Sequence, residues 1–311
     1  IDLALVYKIR KYIKNNHIDV VHCHFADEGI HGFLSLAGLG NKILIQNFHV
    51  DFQRVRKIDL WKFKLINKFS SLNISCSGHL TEQLFKKDIG HSNKNISIHN
   101  GINPERVLSE KPGSLKSELN LGNEVVLAGM VGNFYNDIRD QITVCKALAL
   151  AIKKHPDFHF VFAGGFENQW IKKDNAHFQN CLSICKKAGI LQNVHFTGLR
   201  KDTGNIYASL DFYVHATNFD TFGMAPVEAM MNKLPVIAND VEVFKEVSGD
   251  GEGMLLFKDK NHVELANMMD LMISDAALRS ETGQKHFDFA MKNYHIKVHL
   301  EKLKNIYLSL L

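Results

Sequence analysis

The sequence predicts an α/β protein with two domains, each a parallel sheet that helices cover on both faces. A chain of 311 residues is long enough for two domains of ordinary size. Helical and strand patterns alternate along it, as they do in proteins with parallel sheets. The alternation restarts near residues 104–120, which indicates a domain boundary. We expect domains at residues 1–105 and 106–290, and a final helix at 291–311 that packs back toward the first domain.

Short apolar runs rich in Val and Ile predict the strands, because strands buried on both faces read as continuous apolar segments. HIDVVHCHF, VVLAGMVG and FHFVFAGG are runs of this kind. Strands are expected at residues 17–25, 42–49, 71–77, 96–102, 125–132, 158–165, 193–198, 211–216 and 234–239. Helices are expected at residues 3–15, 29–39, 78–88, 140–154, 178–188, 202–208 and 224–232. The C-terminal stretch MKNYHIKVHLEKLKNIYLSLL is amphipathic and helical, with a break near Tyr294 and His295.

Composition limits the class of protein. Hydrophobic residues make up 45% of the chain and charged residues 23%, which is typical of globular proteins. The apolar runs are shorter than the roughly 18 residues that span a bilayer. The five cysteines have irregular spacing and no C-x-x-C, so we interpret them as reduced thiols in a cytoplasmic protein. We expect no metal at His22-Cys23-His24, because adjacent residues of a strand point to opposite faces.

The positive charge lies in the front half of the chain. Residues 1–106 have 15 Lys and Arg against 9 Asp and Glu, a net charge of +6, whereas the remainder has 22 against 24, a net charge of −2. The stretch RVRKIDLWKFKLINKF at 54–69 interleaves basic with aromatic residues, which is typical of helices on anionic membranes. Residues expected to meet a membrane or an acceptor are Arg54, Arg56, Lys57, Trp61, Lys62 and Lys64.

The alternative for this stretch is a packed helix with a solvated cationic side, because its apolar residues do not form one clean face. Nucleic acid is another usual partner of basic patches, but the sequence has no nucleic-acid-binding motif, so we expect no such partner.

The stretch NFDTFGMAPVEAMMNKLPVI at 218–237 is the strongest candidate for a site. A helix is expected to begin near Met224, and the backbone N–H groups at a helix start bind phosphate. Gly223 allows close approach of the backbone. Asp220 precedes the helix and Glu228 lies one turn inside it, so their carboxylates can accept hydroxyl groups on either side of a diphosphate. The pattern predicts a nucleotide-sugar site.

The same stretch resembles the E-x7-E signature of the retaining glycosyltransferases of family 4. That family has the GT-B fold, with two Rossmann-like domains facing across a cleft. Further segments resemble it in family order over nearly the whole chain, namely IDVVHCH, FHVDF, IHNGIN, VGNFYNDIRDQITVCKAL, FVFAGG and VHFTGL. The resemblance implies retention at the anomeric carbon, no metal and no other cofactor. It also implies that a first β-α-β unit with a glycine-rich loop precedes residue 1, so that the first domain is incomplete here.

Carried over residue by residue, the resemblance implies roles for several side chains. Asp220 would contact the donor sugar, Arg139 the leaving diphosphate and His49 the neighbourhood of the reactive carbon. These three form the expected catalytic set. The expected donor-binding set is Glu228 at the ribose with Phe222, Gly223, Met224, Arg139, Asn133, Gly198, Leu199 and Lys201.

Two residues depart from the family pattern. Asp220 replaces the usual glutamate and is one methylene shorter. Asn133 stands where many members have arginine, which leaves Arg139 as the main cation of its loop. On the residues alone, Asp220 also fits a helix-capping acid, Arg139 a surface cation and His49 a structural histidine.

The sequence therefore predicts a glycosyltransferase that is cytoplasmic and peripheral on the inner face of the plasma membrane. It would move a hexose or N-acetylhexosamine from a nucleotide sugar, most simply UDP-linked, to a lipid-linked or polysaccharide acceptor in cell-surface glycan synthesis, such as that of O-antigen. Two alternatives stay open. One is a nucleotide-sugar epimerase or phosphorylase of the same fold, and the other is a catalytically inactive subunit that binds nucleotide sugar.

Overall fold

The computed structural model describes residues 1–90, 93–108, 113–134, 138–166 and 175–311. It contains two parallel sheets flanked by helices, which confirms the predicted α/β fold class. The chain forms two compact units. The first unit comprises Ile1–Gly101 and Ile296–Leu311, and the second comprises Ile102–His295.

The elements alternate along the chain. The strands are β1 (Val20–His24), β2 (Ile43–Phe48), β3 (Leu72–Ser75), β4 (Asn95–Ser97), β5 (Leu127–Val131), β6 (His159–Ala163), β7 (Val194–Gly198), β8 (Phe212–His215), β9 (Val236–Asn239) and β10 (Leu255–Phe257). The helices are α1 (Leu3–Asn15), α2 (Ala26–Leu36), α3 (Leu60–Phe69), α4 (Gly78–Lys86), α5 (Pro104–Val107), α6 (Ser114–Glu118), α7 (Gln141–Lys154), α8 (Ala176–Lys187), α9 (Thr203–Ser209), α10 (Met224–Met231), α11 (Glu242–Ser248), α12 (His262–Ser274), α13 (Ala276–Tyr294) and α14 (Ile296–Leu310).

Several predicted helices begin at other residues than expected. The helix predicted at 29–39 begins three residues earlier, with Asp27 and Glu28 in its first turn, where negative charge stabilises the helix dipole. The basic stretch predicted to be one helix over 54–69 is helical as α3 only from Leu60, after a single 3₁₀ turn.

The boundaries between the units correct the predicted domain ends at residues 105 and 290. The Ile102 N–H donates to the Tyr294 carbonyl oxygen at 2.8 Å, which ties residue 102 to the second unit. Helix α13 continues unbroken to Tyr294, whose buried hydroxyl donates to the Val247 carbonyl at 2.7 Å. The chain therefore returns to the first unit at Ile296, and residues 109–112 of the predicted boundary region lie outside the described residues.

The second sheet has the strand order β10-β9-β8-β5-β6-β7. Successive strands run outward from β5 to one edge and from β8 to the other, so the order reverses where Ala128 of β5 pairs with Phe212 of β8. In open parallel sheets, ligands bind beyond the carboxyl ends of the strands at such a reversal. The loops that follow β5 and β8 are therefore the first place to look for a site.

Helix α14 covers one face of the first sheet, whose strand order is β1-β2-β3-β4. The buried side chains of Ile45, Ile74 and Ile98 pack against the α14 residues Leu303, Ile306, Tyr307 and Leu310. The Tyr307 hydroxyl also lies 2.6 Å from His22 Nδ1 on β1. The core of the first unit is therefore closed by a helix that follows the whole second unit in the sequence.

Shortening Ile306 to alanine should destabilise the protein by about 2 kcal/mol, because Ile306 is partly buried against the isoleucine cluster. Urea unfolding of the wild type and the variant measures this difference. Leu308→Ala is the matched control, since Leu308 lies on the same helix but is exposed, and it should change the free energy of unfolding by under about 0.5 kcal/mol. Equal losses in the two variants would contradict this packing of α14.

Candidate active site

The loop between β8 and α10 is organised by the Asp220 carboxylate. Its Oδ1 accepts hydrogen bonds from the backbone N–H groups of Thr221 at 2.8 Å, Phe222 at 3.3 Å and Gly223 at 3.1 Å. An aspartate that binds the following amides in this way stabilises a turn into a helix. In this structure the Gly223 amide, predicted to bind a phosphate, is thus held by the predicted sugar-binding acid.

Arg139 joins the same loop from the segment before α7. Its Nη1 donates to Asp220 Oδ2 at 2.8 Å and to Thr217 Oγ1 at 2.8 Å. The Asp220 side chain is 12% exposed and that of Arg139 is 23% exposed, so the ion pair is largely shielded from water. Arg139 and Thr217 also form an antiparallel bridge of the backbone. The structure therefore brings together two of the three predicted catalytic residues.

A buried histidine lies beneath this ion pair, and sequence reasoning missed it. His215 is fully buried at the end of β8, with its Nδ1 3.2 Å from the Tyr213 hydroxyl. Its Nε2 has no hydrogen-bond partner among the residues that the structure describes, and it lies 3.9 Å from Asp220 Oδ2. Burial lowers the pKa of His215 well below its usual value, and the charge of Arg139 lowers it further. The imidazole is therefore neutral, and its only signal in the sequence is a polar residue within the apolar run DFYVHA.

Glu228 lies inside α10 and is held from α9. The buried Tyr207 hydroxyl donates to Glu228 Oε2 at 2.9 Å. Burial raises the pKa of Glu228, and the hydrogen bond from Tyr207 lowers it in part. Tyr207 is a second residue that sequence reasoning missed. One carboxylate oxygen of Glu228 is thereby fixed in position.

The start of α10 requires glycine at position 223. Gly223 has φ = +90°, and a Cβ there would lie 2.5 Å from Phe244 Cε1. Met224 follows as the first helical residue, with an exposed side chain. Phe222 is buried edge-on against Tyr294, with ring centroids 5.4 Å apart. Phe222 was predicted to bind the donor, but its side chain belongs to the core, so only its backbone can do so.

Asn133 follows β5, where it joins two loops. Its Oδ1 accepts from the Gly165 N–H at 2.8 Å, and its carbonyl oxygen accepts from Gln141 Nε2 at 3.1 Å. A Cβ on Gly164 would lie 2.1 Å from the Gly132 carbonyl oxygen, so the chains after β5 and β6 touch directly. The Asn133 side chain thus supports the loop, and residues 135–137 of this loop lie outside the described residues.

The residues predicted beside the nucleobase lie at the end of β7. Gly198 has φ = +72°, Leu199 is exposed and Lys201 is exposed. Between them, Arg200 forms ion pairs with Asp202 at 2.7 Å and Glu118 at 2.6 Å. Because β6 separates β7 from β5 in the sheet, these residues form the far side of the candidate site.

His49 lies in the first unit, just after β2, whereas Arg139, Asp220 and Glu228 belong to the second unit. Its Nε2 is 3.1 Å from His24 Nδ1, and the two rings are stacked. Burial lowers the pKa of both imidazoles. His22 stacks on His24 in turn, and burial lowers its pKa to about 4. The side chain of His49 is thus positioned by a row of neutral imidazoles at the ends of β1 and β2.

Comparison with known families decides the class of the protein. Residues 114–288 match the model of the glycosyl transferases group 1, and residues 1–106 match that of Glycosyltransferase Family 4. The chain belongs to the group 1 glycosyl transferases. The resemblance to family 4 that the sequence indicated is thereby confirmed.

Individual relatives of this glycosyl transferase are named for the biosynthesis of O-antigen or lipopolysaccharide core, and solved structures share its fold. The O-antigen biosynthesis glycosyltransferase WclY of Escherichia coli is 23% identical over 221 residues, which is 70% of this chain and 56% of that protein. The lipopolysaccharide core biosynthesis mannosyltransferase LpsB of Rhizobium meliloti is 28% identical over 131 residues, 40% of this chain and 36% of that protein. The chain therefore spans about half or less of these relatives. Anabaena Alr3699/HepE, crystallised with UDP, superposes with a TM-score of 0.85 at 19% identity, covering 98% of this chain and 82% of that one. The fold is GT-B.

The basic stretch at 54–69 lies in the first unit of the glycosyl transferase, and several of its cations form ion pairs. Arg56 pairs with Asp59 at 2.7 Å, Lys62 with Asp27 at 2.9 Å and Lys64 with Asp88 at 3.3 Å. Helix α3 buries Phe63, Ile66 and Asn67. Arg54, Lys57 and Trp61 are exposed, as is Ile58, which was not singled out by the sequence.

Two wider features were sought in the part of the chain that the structure describes. Within it, no helix is both long and apolar enough to cross a membrane. The same residues contain no group of three or more His, Cys, Asp or Glu side chains that could hold a metal ion.

Replacing Glu228 by glutamine should raise the melting temperature at about pH 7.5, and the gain should vanish near pH 4. The folded pKa of Glu228 lies above the unfolded value of about 4.5. Its stabilising contribution is therefore complete below the unfolded pKa and is lost as the pH rises through the folded pKa. Glutamine stays neutral and can still accept from Tyr207. Thermal unfolding across this pH range measures the effect.

Glu281→Gln is the control for this experiment, because Glu281 is exposed on α13 of the same unit. Its melting temperature should follow the wild type at each pH. A Glu228→Gln variant that melts below the wild type at neutral pH would contradict the raised pKa.

Proposed function

We propose that this glycosyl transferase moves a sugar from a UDP-linked donor to a glycan or lipid-linked acceptor in cell-surface glycan synthesis, with retention at the anomeric carbon. The observation that carries the proposal is the Arg139–Asp220 pair, which joins the loops after β5 and β8 at the point where the strand order reverses. The names of WclY and LpsB support a glycan product, and the UDP complex of HepE supports a uridine donor.

In the proposed mechanism, the donor diphosphate lies against the start of α10 and the guanidinium of Arg139. Arg139 exchanges its hydrogen bond to Asp220 for hydrogen bonds to phosphate oxygens. Guanidinium groups commonly bind phosphate in a bidentate manner. As the bond between sugar and UDP breaks, negative charge grows on the leaving diphosphate. The guanidinium, which is by then bound to the phosphates, and the N-terminal end of α10 stabilise that charge.

The two acids hold the ends of the donor. Glu228, fixed by Tyr207, accepts a hydrogen bond from a ribose hydroxyl through its second carboxylate oxygen. Asp220 accepts a hydrogen bond from a hydroxyl group of the sugar once Arg139 has turned to the phosphates. The acceptor hydroxyl then attacks the anomeric carbon from the face that UDP leaves, and its proton passes to the departing phosphate oxygen.

Wild-type protein should bind UDP in a calorimetric titration, and Arg139→Met should weaken that binding at least tenfold, because one charge-assisted contact to phosphate is lost. Glu228→Ala should weaken it by a similar factor through the ribose. Lys187→Met is the control, since Lys187 is an exposed cation of the same unit, and its affinity should equal that of the wild type. GDP and ADP are titrated alongside to test the base.

Each outcome of this titration has a distinct meaning. If the wild type binds none of the three diphosphates, the donor site is refuted. Tight UDP binding with no transfer to any acceptor would indicate a binding subunit without activity. Conversion of a UDP-sugar to its epimer in the absence of acceptor would indicate an epimerase.

The proposal includes peripheral contact with an anionic membrane through the first unit. Ile58 is 72% exposed and Trp61 is 52% exposed at the start of α3, with exposed Arg54 and Lys57 nearby in sequence. An exposed tryptophan among cations suits the boundary between lipid head groups and acyl chains. Arg56, Lys62 and Lys64 are paired with acids, which weakens their attraction to anionic lipids. We therefore expect Ile58 and Trp61 to contribute more to membrane binding than these charges do.

The double substitution Ile58→Ser and Trp61→Ser should reduce binding to phosphatidylglycerol-containing vesicles at least fivefold in a sedimentation assay, because it removes the exposed apolar pair. Leu271→Ser is the control, since Leu271 is also exposed but lies on α12 of the second unit. Binding should also fall as salt is raised. Equal vesicle binding by the double variant and the wild type would refute the membrane contact.

A further inference from the structure

His215 has no role in the mechanism above, although it lies directly beneath the Arg139–Asp220 pair. It is fully buried, and its Nε2 is left without a hydrogen-bond partner. A buried polar atom without a partner is costly, and such atoms in folded proteins call for an explanation. The nearest charged oxygen is Asp220 Oδ2, at 3.9 Å. The orphan nitrogen therefore points at the candidate site.

The neighbours of His215 determine which ring nitrogen carries the proton. The Tyr213 hydroxyl oxygen accepts the Val131 N–H at 3.1 Å, and its own proton can go to the Val131 carbonyl or to His215 Nδ1. If the hydroxyl donated to the Val131 carbonyl, the ring proton would lie on Nδ1 and point to the hydroxyl oxygen. Nε2 would then present a bare lone pair to the Asp220 carboxylate, which is repulsive. The favourable arrangement has the hydroxyl donating to Nδ1 and the proton on Nε2. Nε2–H is then a donor that faces an acid.

We propose that His215 is a positioning residue, which holds Asp220 by a hydrogen bond when the diphosphate of the nucleotide draws Arg139 away. In the structure described here, Arg139 donates to Asp220 Oδ2 and the imidazole stands behind as an unused donor. When Arg139 turns to a diphosphate without a sugar, as in UDP, no sugar hydroxyl replaces it, and Oδ2 loses its partner in a place that is only 12% exposed. A shift of about 1 Å brings Nε2–H within hydrogen-bond distance of Oδ2.

The Asp220 carboxylate therefore has a hydrogen-bond donor both when Arg139 is bound to it and when Arg139 is bound to the diphosphate. Oδ1 stays bound to the amides of the loop, so Asp220 keeps its orientation while its other oxygen changes partner. Without His215, binding a diphosphate would strand Oδ2, and the affinity for the diphosphate would fall. This inference rests on the proposed function, since it takes the diphosphate as the group that moves Arg139.

The test compares UDP affinity by calorimetry in the wild type and in His215 variants. His215→Phe fits beside the Tyr213 and Phe244 rings but cannot donate, and His215→Asn places an amide only where Nδ1 lies. Both should weaken UDP binding about tenfold, the effect typical of one hydrogen bond to a charged group. His215→Gln reaches the Nε2 position and should stay within about threefold of the wild type. In an Asp220→Asn background, the effect of His215→Phe should disappear.

Three results would overturn the inference. If the wild type binds no UDP, the inference fails together with the proposed function. If the wild type binds UDP and both His215→Phe and His215→Asn bind it equally well, the inference fails alone. If their loss of affinity persists undiminished in the Asp220→Asn background, His215 acts through packing and not through Asp220. Thermal unfolding of each variant confirms that the affinities compared are those of folded protein.

Discussion

The candidate site depends on one ion pair, that between Arg139 and Asp220. Each residue sits on a different loop, and the two loops follow neighbouring strands of the second sheet. Neither charge would be stable alone in so shielded a place, because an unpaired buried charge is strongly destabilising. The pair therefore locks the loops to each other and sets the backbone that leads into α10. His215, whose Nδ1 lies 3.2 Å from the Tyr213 hydroxyl, is 3.9 Å from Asp220, and Tyr207 holds Glu228 nearby in the sequence.

This arrangement leaves the site electrically balanced without a ligand. In the proposed mechanism, a diphosphate replaces Asp220 as the anion bound by the guanidinium, so the net gain in binding free energy comes from geometry and from the extra phosphate charge. Weak anions would gain little from the exchange, which favours ligands with two neighbouring phosphate groups. The shorter side chain of Asp220 fits this role, since its Oδ1 reaches three amides of its own loop while Oδ2 meets Arg139.

The fold was predictable where the burial of an element produces an apolar pattern in its own sequence. Strands such as β5, β6 and β9 are continuous apolar runs, and their positions were read correctly within a few residues. No element was predicted between residues 240 and 290, which contain α11, β10, α12 and most of α13. For α13 the reason is that its buried face consists of Gly283, His286, Ala290 and Tyr294 and shows no apolar stripe. At the site, Asp220 and Glu228 were visible by their spacing. The roles of His215 and Tyr207 were not, because they arise from tertiary contacts between separate elements.

The closure of the first sheet by α14 has a consequence for synthesis on the ribosome. The strands of the first unit emerge early, but the helix that covers their isoleucine cluster is translated only after the entire second unit. Until then one apolar sheet face stays open to solvent, and to chaperones. The second unit, in contrast, is continuous in sequence and can complete its core as soon as it emerges. Of the two units, the one whose strands are translated earlier is therefore the one that is completed later.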